Sequence, residues 1–470
     1  MSTITLDPAL TSHPVPAIRG AMTEWMFSDA AEAAGRTTDP RGCRADYGTL
    51  LPLQEEDYRL AAETGLTTIR MAIEHKGLED DTRPGAYKQS GFRRIEQVLD
   101  WCGKYGLCVI LDLHNALGRE FGGDPRLWHD VFFQNRFVAV WEELVRRLRG
   151  RPEIIAWEPL NEAEPPDSHH EVWNDLAKRV TDVIRRFDPR RQIIVDSIGY
   201  AHPSKFDSLR PTGDPNTAYS FHWYAPTAFH MQKRPWVKDK ESYHYPDWYD
   251  GRWWNHWTIR EEWERPLRFA ARHGVPLFCG EFGCVSDCPQ MEDMLWLLDV
   301  VSLLDRHDIG WTYYHYMFRT PEPHWGSHFD CNLFVRDAES GRLRRFARKV
   351  YLLSDLMKLR GSVLRHDDPE DPQLMVYAVR KPAGALRIYV SNKSNHQAKT
   401  ATVQVMGGPW APNVAMRRMG VGSDAYLPAP PLAIVRGRIV VDLEPLSIAR
   451  LTVETAGNVG AAARPCATGS

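Results

Sequence analysis

The stretch IIAWEPLNEAEPP, residues 154–166, joins a run of apolar side chains to a polar end that two prolines close. Its first half predicts a buried β-strand, because short apolar runs bounded by turn residues are typical of strands in parallel sheets. Two glutamates, Glu158 and Glu162, lie in and beside this strand. A carboxylate is costly to bury unless it is paired or hydrogen-bonded. Either the segment is not a strand, or its carboxylates have a structural or catalytic role.

Seven further runs of this kind flank the stretch between residues 15 and 357, and amphipathic helical patterns separate them. Strands alternating with helices predict an α/β fold, a parallel (β/α)8 TIM barrel. A doubly wound open sheet is the alternative, but it would normally have a glycine-rich phosphate loop after its first strand, and RGAMTEW is not one. The eight predicted strands cover residues 17–25, 66–73, 107–115, 154–162, 192–199, 217–224, 275–283 and 310–318.

The helical patterns end at glycine or at Asp-Pro, which are common stop signals. Pro266 lies inside one of them and predicts a kink or break there. The predicted helices cover residues 55–65, 91–106, 134–150, 168–189, 258–274, 290–310 and 342–357.

The pattern changes after residue 358 to strand-like segments joined by Gly, Pro and Asn turns. We therefore predict a catalytic barrel over 1–358, a small C-terminal antiparallel β-sandwich domain over 359–456 and a disordered tail over 457–470. The β-domain could be a carbohydrate-binding module, but its few aromatic residues favour a packed structural role. Long rim loops are predicted at about 225–262 and 319–340, since βα loops of this length are usually functional.

Charge and apolar patterning exclude several classes of partner. The formal net charge of −3 gives no indication of a nucleic-acid or membrane partner. No apolar run approaches the roughly 18–20 residues that span a bilayer. The N-terminus lacks the features of a secretory signal, which predicts a cytoplasmic location unless a leader was removed. The eight cysteines show no CxxC pair, so reduced thiols are expected rather than a zinc site.

Active sites of such barrels lie at the C-terminal ends of the strands. The ends of the predicted strands are rich in ionisable and amide side chains, which scattered surface polarity would not produce. Trp25 ends the first strand and Trp311 begins the eighth. The other candidates at this rim are Arg70, His114, Asn115, Asn161, Glu162, His222, Tyr224 and Glu281.

Glu162 and Glu281 end strands four and seven, which a barrel can bring across its mouth from each other. Two facing carboxylates suit hydrolysis of a glycosidic bond, because one gives a proton to the leaving oxygen and the other meets the developing positive charge. A separation of about 5–5.5 Å would predict retention of configuration, and about 6.5–9.5 Å inversion. Strand alternation places Glu158 deeper on the same inward face as Glu162, where we expect a buried, hydrogen-bonded support, and places Asn161 on the opposite face.

Six motifs occur in order: IRMAI, VILDLHN, EPLNEAEP, FHWYAP, GEFG and GWTYYHY. Together they resemble glycoside hydrolase family 5, the cellulase-like barrels, over roughly residues 15–357. The resemblance implies retaining, double-displacement hydrolysis of a β-linked glucan or related β-glycoside, with endo-β-1,4-glucanase as the commonest role. It implies no metal and no organic cofactor, and a β-linked oligo- or polysaccharide as the partner. The family commonly reads Asn-Glu-Pro, whereas Ala163 follows Glu162 here, so the next loop is expected to take another path.

The resemblance also implies a role for each candidate residue. Glu162 would be the general acid/base and Glu281 the nucleophile. Asn161 would hydrogen-bond the sugar 2-hydroxyl, while Arg70 and Tyr224 would keep Glu281 in its charged form. His222 would lie beside Glu162, His114 would line the subsite of the reacting sugar, and Trp311 would form the platform under it. Asn115 and Trp25 complete the predicted substrate-binding set, and Asp112 is expected to support His114 without touching substrate.

Other functions remain open at this point. An exo-acting or oligosaccharide-processing β-glucosidase or β-mannosidase is favoured by the missing signal peptide and the long rim loops. Seven tryptophans between Trp223 and Trp263 could wall a cleft closed at one end or form a small core of their own. A catalytically inactive carbohydrate-binding barrel is disfavoured by the presence of both glutamates. A metal-dependent barrel hydrolase would need His-x-His at the end of strand one, which GAMTEW lacks.

Overall fold

A computed structural model describes residues 2–26, 52–119, 124–234, 237, 242–320, 331–337, 340–345, 349–423 and 425–456. The predicted tail at 457–470 lies outside these residues, as does the part of the second rim loop at 321–330. The side chain of Trp25 also lies outside the described part of the chain, so its predicted contact with substrate stays a prediction.

The strands up to residue 345 include the eight of the predicted barrel. They are β1 (Ser2–Leu6), β2 (Thr11–Pro14), β3 (Arg19–Met26), β4 (Thr68–Glu74), β5 (Cys108–Asn115), β6 (Ile154–Glu158), β7 (Gln192–Asp196), β8 (Thr217–Trp223), β9 (Asp247–Tyr249), β10 (Arg252–Trp254), β11 (Leu277–Phe282), β12 (Gly310–Tyr313), β13 (Met317–Thr320), β14 (Phe334–Asp337) and β15 (Leu343–Arg345).

The helices follow the barrel strands and cover the outside of the sheet. They are α1 (Glu55–Thr64), α2 (His75–Leu78), α3 (Gln89–Lys104), α4 (Arg126–His129), α5 (Val131–Leu148), α6 (His170–Phe187), α7 (Ile198–Ala201), α8 (Thr227–His230), α9 (His256–Glu262), α10 (Glu264–His273), α11 (Gln290–Arg306) and α12 (Lys349–Met357), with 3₁₀ turns at Asp167–His169 and Pro203–Ser208. The predicted break near Pro266 falls at Trp263, so that the proline lies in the first turn of α10, where its missing N–H is tolerated.

Eight parallel strands close a barrel in the order β3-β4-β5-β6-β7-β8-β11-β12, and β12 pairs back with β3. The predicted (β/α)8 barrel is therefore confirmed. Its interior is apolar near the N-terminal ends of the strands, where a core cluster contains Ile110, Ala156 and Ile194. Two residues further along the same strands lie Asp112, Glu158 and Asp196, all fully buried. This change from apolar to acidic side chains places the polar groups at the C-terminal end of the barrel.

Strands after residue 360 form the antiparallel β-domain. They are β16 (Ser362–Leu364), β17 (Leu374–Arg380), β18 (Leu386–Asn392), β19 (Lys399–Val405), β20 (Asn413–Gly420), β21 (Leu427–Ala433), β22 (Arg438–Leu443) and β23 (Ser447–Val453). A seven-stranded sheet, β2-β16-β17-β18-β23-β20-β21, and a three-stranded sheet, β1-β19-β22, enclose one apolar cluster.

The domain boundary differs from the prediction at the N-terminus. β1 pairs in parallel with β19, with Ile4 opposite Val403, and β2 pairs with β16, with Pro14 opposite Ser362. The first 14 residues therefore belong to the β-domain rather than to the barrel. Sequence could not reveal this, because a short polar strand acquires its partner only through contacts more than 340 residues away.

The predicted rim loops contain short elements of their own. The segment after β8 holds α8 and a β9–β10 hairpin in which Trp253 pairs with Trp248. The segment after β12 contributes β13, β14 and β15, which form a separate three-stranded sheet. Among the described residues, no helix is both long enough and apolar enough to cross a membrane.

Candidate active site

Seven of the predicted site residues meet at the C-terminal end of the barrel, linked by hydrogen bonds. Tyr224 is half-buried and the others are buried, so most of their polar atoms face one another rather than bulk solvent. Glu162 and Glu281 keep 7% and 5% of their surface exposed, enough to be reached from the mouth. The seven are Arg70, His114, Asn161, Glu162, His222, Tyr224 and Glu281.

Both carboxylate oxygens of Glu281 accept hydrogen bonds from the protein. Arg70 Nη1 donates to Oε1 at 2.7 Å, and the Tyr224 hydroxyl donates to Oε2 at 2.9 Å. Burial raises the pKa of Tyr224 well above its ordinary value, so its hydroxyl remains a donor. A cation and an O–H donor therefore stabilise negative charge on Glu281.

Arg70 orients several of the site residues at once. Its guanidinium makes a two-point contact with Glu158, with Nε 2.8 Å from Oε2 and Nη2 2.9 Å from Oε1. Nη2 also donates to Asn161 Oδ1 at 2.8 Å and lies 3.2 Å from Asp112 Oδ2. The planar fork of arginine suits such multidentate contacts. Glu158 is therefore the buried support that the sequence predicted.

The Asn161 contact determines the tautomer of His114. Because Asn161 Oδ1 accepts from Arg70, its Nδ2 faces His114 Nε2 at 3.2 Å as a donor. Nε2 must then accept, which leaves the ring proton on Nδ1, 2.7 Å from Asp112 Oδ2. Burial holds the pKa of His114 well below its usual value, consistent with a neutral ring. Asp112 thus orients His114, as predicted.

Glu162 has a different environment from Glu281. Its Oε1 lies 2.7 Å from His222 Nδ1, and burial lowers the pKa of His222, which favours a neutral imidazole. One carboxylate oxygen of Glu162 and one of Glu281 lie within 4.8 Å of each other. One glutamate is paired with a neutral ring and the other with a cation, an asymmetry that suits one proton donor and one charged group.

Burial also acts on the acidic groups beneath the mouth. It raises the pKa of Asp112 and of Glu158 to about 7 each, although the Arg70 charge opposes the shift in both. Two sets of three side chains have possible metal-ligand atoms within 4.8 Å of one another. Arg70 already supplies positive charge to a carboxylate of each set. The sets are Glu162, His222 and Glu281, and Glu158, Asp196 and His222.

A family model described as cellulase (glycosyl hydrolase family 5) matches residues 31–319, more than half of the 470-residue chain. The chain belongs to glycosyl hydrolase family 5. It is a glycosidase that hydrolyses O-glycosyl bonds, and its cellulase family implies a β-glucan substrate. The resemblance seen in the sequence motifs is confirmed.

Individual family 5 relatives are also similar. Endoglucanase C of Acetivibrio thermocellus is 30% identical over 289 residues, which cover 56% of this chain and 84% of that protein. Cellodextrinase A of Ruminococcus flavefaciens is 25% identical over 264 residues, 55% of this chain and 76% of that protein. A solved hyperthermophilic endo-β-1,4-glucanase in complex with substrate shares the fold, with a TM-score of 0.56, 20% identity and coverage of 73% of this chain and 96% of that chain.

Strand four of this family 5 barrel ends earlier than predicted. β6 stops at Glu158, and Glu162 has a φ of 45° in the left-handed region. The alternation expected through residue 162 is therefore wrong, and Asn161 and Glu162 both face the mouth. The sequence carries a stop signal at this point, because Pro159 directly follows Glu158 and a proline has no N–H to donate to the sheet. Ala163 is buried, and its carbonyl accepts from the Gly199 N–H at 2.9 Å.

The predicted platform role of Trp311 is wrong. Strand alternation in β12 turns Thr312 inward and Trp311 outward, where the indole is fully buried against Phe282 and lies 3.4 Å from Asp305 on α11. The aromatic residue beside the site is Tyr314, just beyond the strand, with its ring centroid 6.2 Å from that of Tyr224.

Asn115 does not join the cluster at the mouth. Its side-chain amide donates to Glu74 at 2.9 Å and its oxygen accepts from Arg119 at 3.2 Å, so it links the segments that follow β4 and β5. The structure adds Arg119 and Asp196, which contact Glu162 and were missed. Asp196 could have been found, because it is the acidic residue in the C-terminal half of the fifth predicted strand, 192–199. Arg119 lies in a loop and carried no such signal.

Five of the seven tryptophans from Trp223 to Trp263 fall into two sets, while Trp257 is half-buried in α9 and Trp236 lies outside the described residues. Trp223, Trp254 and Trp263 pack together in the core, with ring centroids 5.5–6.3 Å apart. Trp248 and Trp253 face the other side of the hairpin, and Trp248 is 63% exposed. Some tryptophans of this segment therefore belong to the core, whereas a cleft wall formed by tryptophans stays a prediction.

Proposed function

We propose that this family 5 enzyme is a retaining endo-β-1,4-glucanase in which Glu281 is the nucleophile and Glu162 the general acid/base. The supporting observation is the close approach of the two carboxylates, with an oxygen of each within 4.8 Å. This close approach fits the about 5–5.5 Å between the carboxyl groups of retaining enzymes better than the about 6.5–9.5 Å of inverting ones, which hold a water between the two groups.

In the first step, a Glu281 oxygen attacks the anomeric carbon while the bond to the leaving oxygen breaks. Glu162 gives its proton to that oxygen, so the departing sugar leaves as a neutral alcohol. Arg70 and Tyr224 hold the attacking carboxylate in place through one hydrogen bond to each oxygen. Asn161, oriented by Arg70 and His114, is the candidate donor to the 2-hydroxyl of the reacting sugar.

In the second step, a water attacks the anomeric carbon of the glycosyl-enzyme and releases Glu281. Glu162, now a carboxylate, takes the proton of that water and returns to its starting state. His222 shares a hydrogen bond with Glu162 in both protonation states, since a neutral imidazole nitrogen can donate or accept according to tautomer. Tyr314 takes the place expected of Trp311 as the aromatic contact for the sugar.

The azide products of two variants test both roles. In Glu281→Ala, azide fills the space of the missing nucleophile and should yield an α-glycosyl azide. In Glu162→Ala, azide attacks the glycosyl-enzyme and should yield a β-glycosyl azide. Aryl β-cellobiosides serve as substrates, and NMR of the anomeric proton identifies each product. The opposite pairing of products would reverse the two assignments, and equal activity of both variants and wild type would refute them.

Endo action is supported by the name of the relative Endoglucanase C. Action on short chains is the second candidate. It is supported by the long rim segment between β8 and α9, since such segments can close one end of a cleft, and by the relative Cellodextrinase A. Product sizes from soluble β-1,4-glucan decide between them: endo cleavage lowers viscosity before much sugar is released, whereas exo cleavage releases short products at once. A panel with aryl β-glucoside, β-mannoside and β-xyloside identifies the preferred sugar.

A carbohydrate-binding barrel without activity would behave differently. Glu281→Gln should lose hydrolysis and keep sugar binding if the enzyme is catalytic. A wild type inactive on every β-glycoside of the panel would favour the binding protein instead. Loss of activity on treatment with a chelator would point to a metal-dependent hydrolase.

A further inference from the structure

Glu162 has a backbone conformation that its residue type does not favour. Its φ of 45° lies in the left-handed region, where the Cβ atom of an L-residue crowds the following carbonyl. Such residues occur at functional sites where the surrounding structure holds them in place. The direction of the Glu162 side chain depends on this conformation, because the Cα–Cβ bond turns with the backbone.

Two buried side chains hold the backbone of Glu162, one at its N–H and one at its carbonyl. The Glu162 N–H donates to Asp196 Oδ2 at 2.8 Å, and the Glu162 carbonyl accepts from Arg119 Nη2. Asp196 is fully buried at the end of β7, and Arg119 is 1% exposed in the loop after β5. The peptide groups on both sides of the Glu162 α-carbon are therefore held by side chains from the end of β7 and from the loop after β5.

Each of the two side chains also has a second contact near Glu162. Arg119 Nη1 donates to the carbonyl of His114 at 3.0 Å, which ties the loop to the end of β5. Asp196 Oδ2 lies 3.6 Å from Nε2 of His222, the ring whose Nδ1 bonds Glu162. A displacement of Arg119 or Asp196 would thus move the Glu162 carboxyl relative to the nucleophile on β11.

We propose that Arg119 and Asp196 are positioning residues for the general acid/base Glu162. They hold its backbone in the left-handed conformation that aims the carboxyl group at the leaving oxygen. Neither has to touch the substrate for this role. The inference rests on the proposed role of Glu162 as the proton donor.

The need for a proton donor differs between leaving groups, which gives a specific test. A phenyl β-cellobioside needs its leaving oxygen protonated, whereas 2,4-dinitrophenolate leaves without a proton. For both substrates kcat/KM reports the first step. In Arg119→Met and in Asp196→Ala, kcat/KM for the phenyl glycoside should fall by about tenfold to a hundredfold, a part of the range that acid catalysis supplies. The value for the dinitrophenyl glycoside should fall far less.

If Arg119 and Asp196 only support the overall structure, kcat/KM should fall equally for the phenyl and the dinitrophenyl glycoside. Equal losses on the two substrates would therefore overturn the proposal. The absence of any loss on either substrate would also overturn it. Arg136→Met is the matched control, since Arg136 is a buried arginine that pairs with Glu79 and Asp81 away from Glu162. It should leave the ratio of the two kcat/KM values at the wild-type level. Thermal unfolding of each variant shows that it is folded.

Conservative variants keep the proposal testable if the larger changes prevent folding. Asp196→Asn retains an oxygen that can accept the Glu162 N–H, and Arg119→Lys retains a donor, so both should recover most of the loss on the phenyl glycoside. A selective loss in Asp196→Asn as large as in Asp196→Ala would overturn the hydrogen-bond role. Glu162→Gln must itself show the selective loss. If it does not, the assignment of Glu162 fails independently of Arg119 and Asp196.

Discussion

Arg70 is a buried cation that contacts several of the acidic and amide side chains of the site. It donates to Glu281 and Glu158, and it orients Asn161. A lysine at this position would offer one point charge in place of a planar fork, and could not meet these partners together. Glu281 and Glu162 therefore differ in their surroundings. The Arg70 guanidinium contacts Glu281, whereas Glu162 faces the neutral ring of His222.

The Tyr224 hydroxyl is the second donor to Glu281, at 2.9 Å. In Tyr224→Phe that oxygen loses its donor, so we expect kcat/KM to fall by about a hundredfold, as when one preorganised donor is removed elsewhere. Steady-state rates on an aryl β-cellobioside measure the loss. Tyr389→Phe is the matched control, because Tyr389 also donates to a carboxylate, Asp355 at 2.7 Å, but lies in the β-domain. An unchanged rate in Tyr224→Phe would contradict the role of the hydroxyl.

Because Asp112 is a buried carboxyl group, we expect the free energy of unfolding to depend on pH. Burial, its main cause, raises its pKa in the folded protein to about 7, against about 3.9 in an unfolded chain. Between about pH 4 and pH 7, the Asp112 carboxyl group is therefore protonated in the folded protein and ionised in the unfolded chain. Asp112 contributes stability that is present below about pH 4 and is lost as the pH rises to about 7.

Asp112→Asn stays neutral at every pH and can still accept from His114. Its free energy of unfolding should fall less steeply with pH than that of wild type, by up to about 1.4 kcal/mol per pH unit between about pH 4 and 7. Urea unfolding at several pH values measures both slopes. Asp182→Asn, an exposed carboxylate on α6, should leave the slope unchanged. Parallel curves for Asp112→Asn and wild type would contradict the prediction.

Strand alternation at β12 separates two aromatic residues that the sequence places close together. Trp311 is fully buried on the outer face, whereas Tyr314 lies edge-on to Tyr224 beside the site. Trp311→Phe should therefore lower the free energy of unfolding by about 1–3 kcal/mol and leave KM unchanged. Tyr314→Ala should lower kcat/KM about tenfold, the size of one aromatic contact, and Tyr314→Phe should restore it. A raised KM in Trp311→Phe alone would favour the original platform assignment.

The barrel strands could be predicted because each is a short apolar run between turn residues, a signal that is local in sequence. The meeting of Glu162 and Glu281 with Arg70, His222 and Tyr224 could be predicted because the barrel brings strand ends together. The end of β6 could also have been predicted, because Pro159 follows Glu158. The left-handed conformation of Glu162 could not, since it depends on contacts with Arg119 and Asp196. Arg119 and Asp196 are far from Glu162 in the sequence and become its neighbours only in the folded chain. Trp311 was misplaced because its strand ends at Tyr313, before the aromatic residue that reaches the site.

At the scale of the whole molecule, the β-domain is joined to the barrel by a buried ion pair. Lys393, just beyond β18, donates to Asp299 on α11 at 2.8 Å and to His256 on α9 at 2.9 Å. The Tyr245 hydroxyl, from the rim segment before the β9–β10 hairpin, donates to the same Asp299 oxygen at 2.6 Å. Lys393 and Asp299 are both inaccessible to solvent. A lysine of the β-domain thus completes a network that anchors the rim segment of the barrel.

This network favours a structural role for the β-domain over a tethered sugar-binding module. In Lys393→Met, the buried Asp299 loses the cation and hydrogen-bond donor that offset its burial, so the free energy of unfolding should fall by about 3–5 kcal/mol. Lys393→Met/Asp299→Asn should recover part of that loss, because the charge is gone while an oxygen remains for Tyr245. Lys399→Met, which breaks a partly exposed pair with Asp371, should cost about 0–1 kcal/mol. Urea unfolding followed by tryptophan fluorescence, which reports mainly on the barrel, measures all three. A barrel transition that is unmoved in Lys393→Met would mean that the two domains unfold independently, as a tethered module would.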